Sequence, residues 1–433
     1  MPAAVVVGGG IGGLAAAIAL HRIGWRVTVL ERAGEFGEIG AGLALWPNAT
    51  RALAALGLAE RVRAIAAVET AGGVRDRAGR WLVRTDNSDV ARRHGRPLLM
   101  VHRADLVRVL VAALPADLLR SGSEVRAVRP DGGGAVVEHR GGRMRADLVV
   151  GADGIRSRVR RQCWPEARSP RYAGCTAWRA VTGPLDGRGA EGALFWGRGE
   201  RFGFAALPGG RFYCFAAARV PEGGDEDAYA GFARRFGGWP DPVPELLAAV
   251  PEGAVLRHDV YEMPPPASYV RGRAVLLGDA AHAMDPALGQ GAGTALEDAV
   301  TLAACLSADP DVDVALARYD RTRRPRTRAI VRRSARMGAA SLVAWSPGAW
   351  SRNLLARLVP PSLLLRSMDP VLGWTPPELP ELAQRPEPPE LPELAEPVEL
   401  PESVEPSGQA QVELAERVAE VVPASGGRPG GDA

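Results

Sequence analysis

Residues 276–291 read LLGDAAHAMDPALGQG, in which Asp279, His282 and Asp285 stand three apart. Two carboxylates around an imidazole suit three kinds of chemistry: a metal site, an acid/base pair, or the binding of a cofactor. A metal site at this spacing needs one continuous helix to bring the side chains to one face. Pro286 and Gly289 break any helix there, and no second His/Cys/Asp cluster stands nearby to complete a coordination shell. No metal is therefore expected. A catalytic His–Asp pair needs a nucleophile to activate, and no G-x-S-x-G or equivalent is present. The third reading depends on the backbone. Val275 to Leu277 reads as a strand, and Asp279 follows its C-terminal end, the edge where open α/β sheets bind ligands. Pro286, Gly289, Gly291 and Gly293 then form a stiff, glycine-rich loop feeding a helix with Leu296, Val300 and Leu302, and with Glu297 and Asp298 near its start. On this reading Asp279 binds a cofactor, while His282 and Asp285 are loop or packing residues.

The elements that must position this loop begin at the N-terminus. Ala3 to Val7 is a β-branched apolar run that reads as a buried strand. Gly8, Gly10 and Gly13 form G-x-G-x-x-G, a helix with Leu14, Ala15, Ile18 and Ala19 at helical spacing follows, and Arg26 to Leu30 is a second strand. This is the start of a parallel sheet. The glycines let a pyrophosphate approach the backbone, and the helix aims its N-terminal amides at the phosphates. Glu31 lies about 20 residues on, where an acid binds a ribose hydroxyl. The context points to a dinucleotide site. A further stretch, Asp147 to Arg160 (DLVVGADGIRSRVR), has a strand, a tight turn at Asp153-Gly154, and Ser157 with arginines on a helix. Alone it reads equally as a turn with a basic helix. Residues 175–218 are dense in aromatics (Trp178, Phe195, Trp196, Phe202, Phe204, Phe212, Tyr213, Phe215) in short runs between Gly and Pro turns, which reads as antiparallel strands. Their rings suit either a sheet core or an aromatic pocket. Helices are expected over 292–306 and about 315–345.

Composition bounds the rest. The chain has 433 residues, 46% of them apolar, and a net charge of +3, enough for two or three domains with a large core. Nothing in that charge argues for nucleic acid. The chain has no lysine, so no lysine-dependent mechanism can operate. Cys163, Cys175, Cys214 and Cys305 are scattered with no CxxC pair. They read as reduced core thiols, which fits the cytoplasm. No signal peptide is expected, because no cationic segment precedes the first apolar run. No apolar stretch reaches the ~18 residues of a membrane span. From Trp374 the composition breaks into TPPELPELAQRPEPPELPELAEP. Proline this dense opposes helix and sheet, so 375–410 is expected to be extended, acidic and disordered, with a short amphipathic helix over 411–422. The tail reads either as an accessory or as a docking peptide for a partner.

The three motifs in this order resemble the FAD-dependent aromatic monooxygenases, of the para-hydroxybenzoate, salicylate and urate hydroxylase type. GLALWPNATRAL (42–53) and HRADL (102–106) match as well, and the resemblance covers about residues 3–372. The fold it implies is α/β. A Rossmann-type FAD-binding domain with a parallel sheet takes residues 1–70, 98–165 and 265–345. A mostly antiparallel substrate-binding sheet is inserted as 71–97 and 166–264. A C-terminal helical segment (346–374) and the tail (375–433) follow.

The resemblance also implies roles. Gly8, Gly10, Gly12 and Gly13 would cradle the FAD pyrophosphate, and Glu31 would hold the adenosine ribose with Arg32 beside it. Ala44 and Arg103 would lie against the flavin, and Val125 at the adenine end. Asp153 would serve FAD and NAD(P)H, and Asp279 the ribityl or pyrophosphate region. Pro286, Gly289, Gln290, Gly291, Ala292 and Gly293 would follow the isoalloxazine edge, where a helix N-terminus stabilises negative charge. NAD(P)H would be the co-substrate. O2 would be carried through a flavin hydroperoxide to an aromatic or other electron-rich small molecule, by hydroxylation or epoxidation. No side-chain nucleophile is then required. Arg201 in GRGERFGF and Tyr213 in GGRFYCF match the arginine and tyrosine of the urate hydroxylase pattern. The competing reading makes them a strand-surface arginine and a core aromatic. That pattern also carries an acid after the loop proline, where this chain has Ala287, which speaks against urate. The alternatives are a saturating reductase of the geranylgeranyl type and a non-catalytic flavin protein whose tail recruits a partner.

Overall fold

The computed structural model describes residues 1–37, 41–185, 187, 189–224 and 227–380. The described residues all belong to one compact unit. The expectations for the tail beyond 380, including the helix over 411–422, lie outside the described residues.

A six-stranded sheet forms the first layer, in the order Val270–Arg271, Ala274–Leu276, Leu148–Gly151, Ala3–Val7, Arg26–Leu30, Leu119–Arg120. All its pairs are parallel except the first. Leu148, Val149 and Val150 are fully buried, as expected of parallel strands covered on both faces. The helix Ile11–Arg22 packs on this sheet and against the helix Gly291–Ala308. Both helices are alanine-rich, and small side chains let their backbones come close.

The second large sheet has seven strands. Leu256–Glu262, Arg171–Val181, Phe212–Ala218, Glu200–Ala206 and Ala193–Trp196 run antiparallel in that order. Ala71–Asp76 joins parallel to Ala193–Trp196, and Trp81–Asp86 pairs antiparallel at the edge. Side chains alternate between its faces with the period of two that a pleated strand imposes. This alternation divides the aromatics. Trp178, Phe195, Phe202, Phe204 and Phe212 join Phe232, Phe236 and Trp239 in one apolar cluster, while Tyr213 and Phe215 fall in a smaller cluster with Met100 and Ala205.

Two three-stranded sheets complete the strands: Val125–Asp131, Gly134–His139 and Gly142–Ala146, then Gly42–Leu45, Leu99–His102 and Ala66–Val68. The helices differ from expectation only at their ends. They run Gly291–Ala308 and Val312–Ser341, and the second stops short of 345. Ser346–Leu358 and Pro361–Leu372 follow. Residues 375–380 have no regular secondary structure, yet Trp374 and Leu379 pack on the main core and Arg22 Nε donates to the Pro380 carbonyl at 2.9 Å.

Candidate active site

The glycine turn is built by close approach. Gly8 has φ +109, and a Cβ there would drive into the Ala152 carbonyl oxygen. Only glycine tolerates both the conformation and the contact. Glu31 Oε2 accepts the Gly9 N–H at 2.6 Å, and its Oε1 accepts the Ala33 N–H at 2.9 Å. The acid expected on a ribose thus also fixes the turn. Across the turn, Asp153 Oδ2 accepts the Arg158 and Val159 amides at 2.6 and 3.1 Å. Asp153 Oδ1 is buried and has no protein partner among the described residues, so a ligand donor would complete it.

These residues line a cavity of about 900 Å³, near the top of the roughly 300–1,000 Å³ range of ligand pockets. Of the residues singled out from sequence, Gly8, Gly10, Gly12, Glu31, Arg32, Ala44, Arg103, Val125, Asp153, Arg201, Tyr213, Asp279, Pro286, Gly289, Gly291 and Ala292 line it. Gly13, Gln290 and Gly293 are not among the lining residues. Gly13 abuts the Gly8 carbonyl instead, and a Cβ at Gly293 would lie 3.1 Å from Asn48 Nδ2. Gln290 is buried, with its Oε1 accepting from Asn48 Nδ2 at 2.9 Å. These three therefore shape the turn and the loop from behind. Gly289 sits at φ +61, which turns the chain into the N-terminus of the helix Gly291–Ala308. The free amides and positive dipole end of that helix begin at the cavity wall.

The same cavity carries a cationic cluster on the seven-stranded sheet. Arg179, Arg201, Tyr213, Phe215 and His258 line the cavity there, with Arg103 and Asp279 from the other side. Arg201 is no surface residue. It is 6% exposed, donates to Ser341 Oγ at 2.8 Å, and lies 3.5 Å from Asp285 Oδ1. Asp285 also accepts the Ala287 N–H at 2.7 Å, so it ties the arginine to the proline loop. Burial holds the Arg103 guanidinium below its usual range, with Arg179 adding to the effect and Asp279 opposing it. Burial likewise pushes the Tyr213 phenol up, against Arg179 and Arg103. Arg179 and His258 carry no motif. Their only signal is a charge in a run that otherwise reads as strand, as in CTAWRAV.

His258 is open to the cavity but ringed by protein. Burial, then Arg179, push its imidazole from 6.5 down to about 4. The folded chain therefore prefers the neutral ring. That contribution to stability is complete above pH 6.5 and is lost as pH falls through 4. An NMR titration of His258 is expected to show a midpoint near 4, and a midpoint near 6.5 would contradict this environment.

A buried charge network holds the loops from below. His282 and Asp298 share a hydrogen bond of 2.5 Å, and Arg323 pairs with Asp298 at 2.6 Å and Glu297 at 2.7 Å, all at 0% exposure. The Gly278 N–H donates to Asp298 at 3.0 Å, and Asn48 Nδ2 to Glu297 at 2.8 Å. Arg326 pairs with Glu297 at 2.6 Å and donates to the Pro370 and Val371 carbonyls. So Asp279 faces the cavity, His282 joins this network, and Asp285 holds Arg201: three residues at equal spacing serve three different partners.

A model of the FAD binding domain matches residues 2–178 and 266–334. Aurachin C monooxygenase/isomerase of Stigmatella aurantiaca is 38% identical over 359 residues, 82% of this chain and 94% of the relative. The chain belongs to the FAD-dependent monooxygenases. A second relative, 3-amino-4-hydroxybenzoate 2-monooxygenase of Streptomyces cremeus, is 38% identical over 355 residues, 77% of this chain and 86% of its own. Among solved structures, Klebsiella pneumoniae HpxO complexed with FAD and uric acid superposes with a TM-score of 0.81 at 29% identity, over 87% of this chain and 97% of that one. As a member of this family the chain is an FAD-dependent oxidoreductase that hydroxylates or epoxidises, and NAD(P)H is the family's usual co-substrate. The geranylgeranyl-type reductase and the non-catalytic flavin protein are not favoured. Among the described residues no helix is long and apolar enough to cross a membrane.

Proposed function

We propose that this monooxygenase inserts one oxygen atom from O2 into an aromatic small molecule held between the flavin and the seven-stranded sheet. One observation carries the reading: the glycine turn, the helix end at Gly291 and the Arg103–Arg179–Tyr213 cluster all open onto one cavity. Residues 1–70, 98–165 and 265–345 would bind FAD, and 71–97 with 166–264 would bind substrate. The residues fit the cofactor: Gly8, Gly10 and Gly12 line the cavity, Asp153 Oδ1 offers an unpaired acceptor, and Glu31 lies at the ribose offset. Bound FAD would supply the redox chemistry, taking electrons from NAD(P)H and activating O2.

The chain's own groups orient and shield. Arg103 and Arg179 place positive charge where an electron-rich ring gains negative character, and in a cavity walled by protein that field is weakly screened. Arg201 is held rigid by Asp285 and Ser341 rather than free to move. Tyr213 packs its ring against Phe215, 5.3 Å between centroids and tilted by 31°, and would bond the substrate through its hydroxyl. Ala287 gives no carboxylate at the position after the loop proline, which supports a substrate other than urate.

Tyr213→Phe tests the assignment, because it keeps the ring and removes only the hydroxyl. Product formed per NAD(P)H oxidised is expected to fall about tenfold or more, with FAD affinity within about twofold of wild type. Unchanged product yield, measured by chromatography against NAD(P)H consumption, would leave Tyr213 as a core aromatic.

A further inference from the structure

The cavity is also lined by two polar side chains that the chemistry above does not use. Glu69 lies in the link between the strands Ala66–Val68 and Ala71–Asp76, and Asn87 precedes the helix Ser88–His94. Both line the cavity, with Gly72, Thr85, Gly192 and Leu194. Asn87 holds the N-cap position but makes no side-chain capping bond, although asparagine there ordinarily accepts from the helix amides. It is 7% exposed, and its Nδ2 makes no hydrogen bond among the described residues. Nor does Glu69 form an ion pair among them. Two glycines make room for the carboxyl. A Cβ on Gly72 would lie 3.0 Å from Glu69 Oε1 and 3.7 Å from Asn87 Nδ2, and one on Gly192 would lie 2.6 Å from Oε1. The Gly192 N–H donates to the Ala71 carbonyl at 2.9 Å, which fixes this floor. Burial pushes Glu69 up to about 7, opposed by a side-chain hydrogen bond from Asn87 that favours its charged form; that contact falls outside good hydrogen-bond geometry, so the Asn87 amide keeps capacity for a ligand. An acceptor and a donor so poorly satisfied by each other in a protein-walled cavity carry a desolvation cost that a matching ligand removes.

We propose that Glu69 and Asn87 are the specificity-determining end of the substrate pocket. The Glu69 carboxylate accepts a hydrogen bond from a ring N–H or hydroxyl, and the Asn87 amide donates to a neighbouring acceptor on the same molecule. The inference rests on the monooxygenase reading and adds a substrate class: planar aromatic molecules with a donor beside an acceptor, such as ring lactams or phenols with an ortho acceptor.

The test uses the full FAD-loaded chain at a pH about 1.5 units above the Glu69 value of about 7, where the carboxyl is ionised. The probes are 2-quinolone and N-methyl-2-quinolone, which share ring and carbonyl but differ in the N–H. Dissociation constants come from perturbation of the flavin absorbance. The wild type is expected to prefer 2-quinolone by about tenfold or more, because a site built for a donor rejects the analogue lacking it. In Glu69→Leu the preference should fall to within about twofold, with FAD affinity retained. Gly72→Ala, whose methyl would crowd the intact carboxyl, should reduce it too and serves if Glu69→Leu fails to fold. Preference unchanged in the variants, equal affinities in the wild type, or binding of neither probe overturns the proposal. Failure of the wild type to hold FAD would overturn the monooxygenase reading instead.

Discussion

Gly8→Ala is expected to give a protein that folds and loses FAD, with affinity down about a hundredfold. The new methyl meets two obstacles at once. A φ of +109 is disfavoured for any L side chain, and the Cβ points into the Ala152 carbonyl oxygen. Such strain costs about 1–3 kcal/mol, and relieving the contact must move the turn away from the strand Leu148–Gly151. That movement shifts the Gly9 amide held by Glu31 and the start of the helix Ile11–Arg22, both of which the proposed site sets against the phosphates. The six-stranded sheet keeps its own buried Val5, Val6, Val149 and Val150, so circular dichroism should be close to wild type. Flavin fluorescence quenching reads the affinity directly, and a dissociation constant within about twofold of wild type would show that this turn does not carry the cofactor.

Asp298→Ala has the larger expected effect on stability. Removing one partner of a buried pair leaves charge uncompensated and costs about 3–5 kcal/mol. Here it strips Arg323 of one of two carboxylates and leaves His282 and the Gly278 N–H without their acceptor. At about 2.1 cal/mol/K per residue over the folded body, this corresponds to a fall in Tm of roughly 4–6 °C. The same carboxyl sets an acid limit. Burial opposes its ionisation, but His282 and Arg323 prevail and hold it down to about 2, against an ordinary 3.8. Its contribution to stability is therefore complete above pH 3.8 and is lost as pH falls through about 2. Scanning calorimetry with and without FAD checks both points; a Tm within a degree of wild type would show that the network is not what holds the proline loop.

What was legible in the sequence follows the range of the interactions. The turn at Gly8 and its acid at Glu31 are close along the chain, so spacing alone specified them. The strand end at Gly151 was legible, and the one expected at Leu277 falls one residue earlier at Leu276, because parallel strands leave continuous apolar runs bounded by glycine. The assignment of aromatics to core or cavity was not, because it depends on strand register, which the pairings of Arg171–Val181, Phe212–Ala218, Glu200–Ala206 and Ala193–Trp196 fix. Asp285 reads as a loop residue because its partner Arg201 is brought from a different sheet. Glu69, Asn87 and Gly192 come together only because Ala71–Asp76 joins Ala193–Trp196 in parallel, a pairing for which the chain carries no local signal. Helix ends were legible to within a few residues, since capping and packing, not periodicity, decide where Val312–Ser341 stops.

Above all else, this cavity is held to join bound FAD to an aromatic molecule that receives oxygen from O2. The most direct measurement incubates the FAD-loaded protein with NAD(P)H under 18O2, using an aromatic compound that stimulates NAD(P)H oxidation, and weighs the product by mass spectrometry. The expected product carries one 18O atom from the gas and none from water. Product labelled from water, or NAD(P)H oxidation that yields no oxygenated product with any aromatic compound, would contradict it.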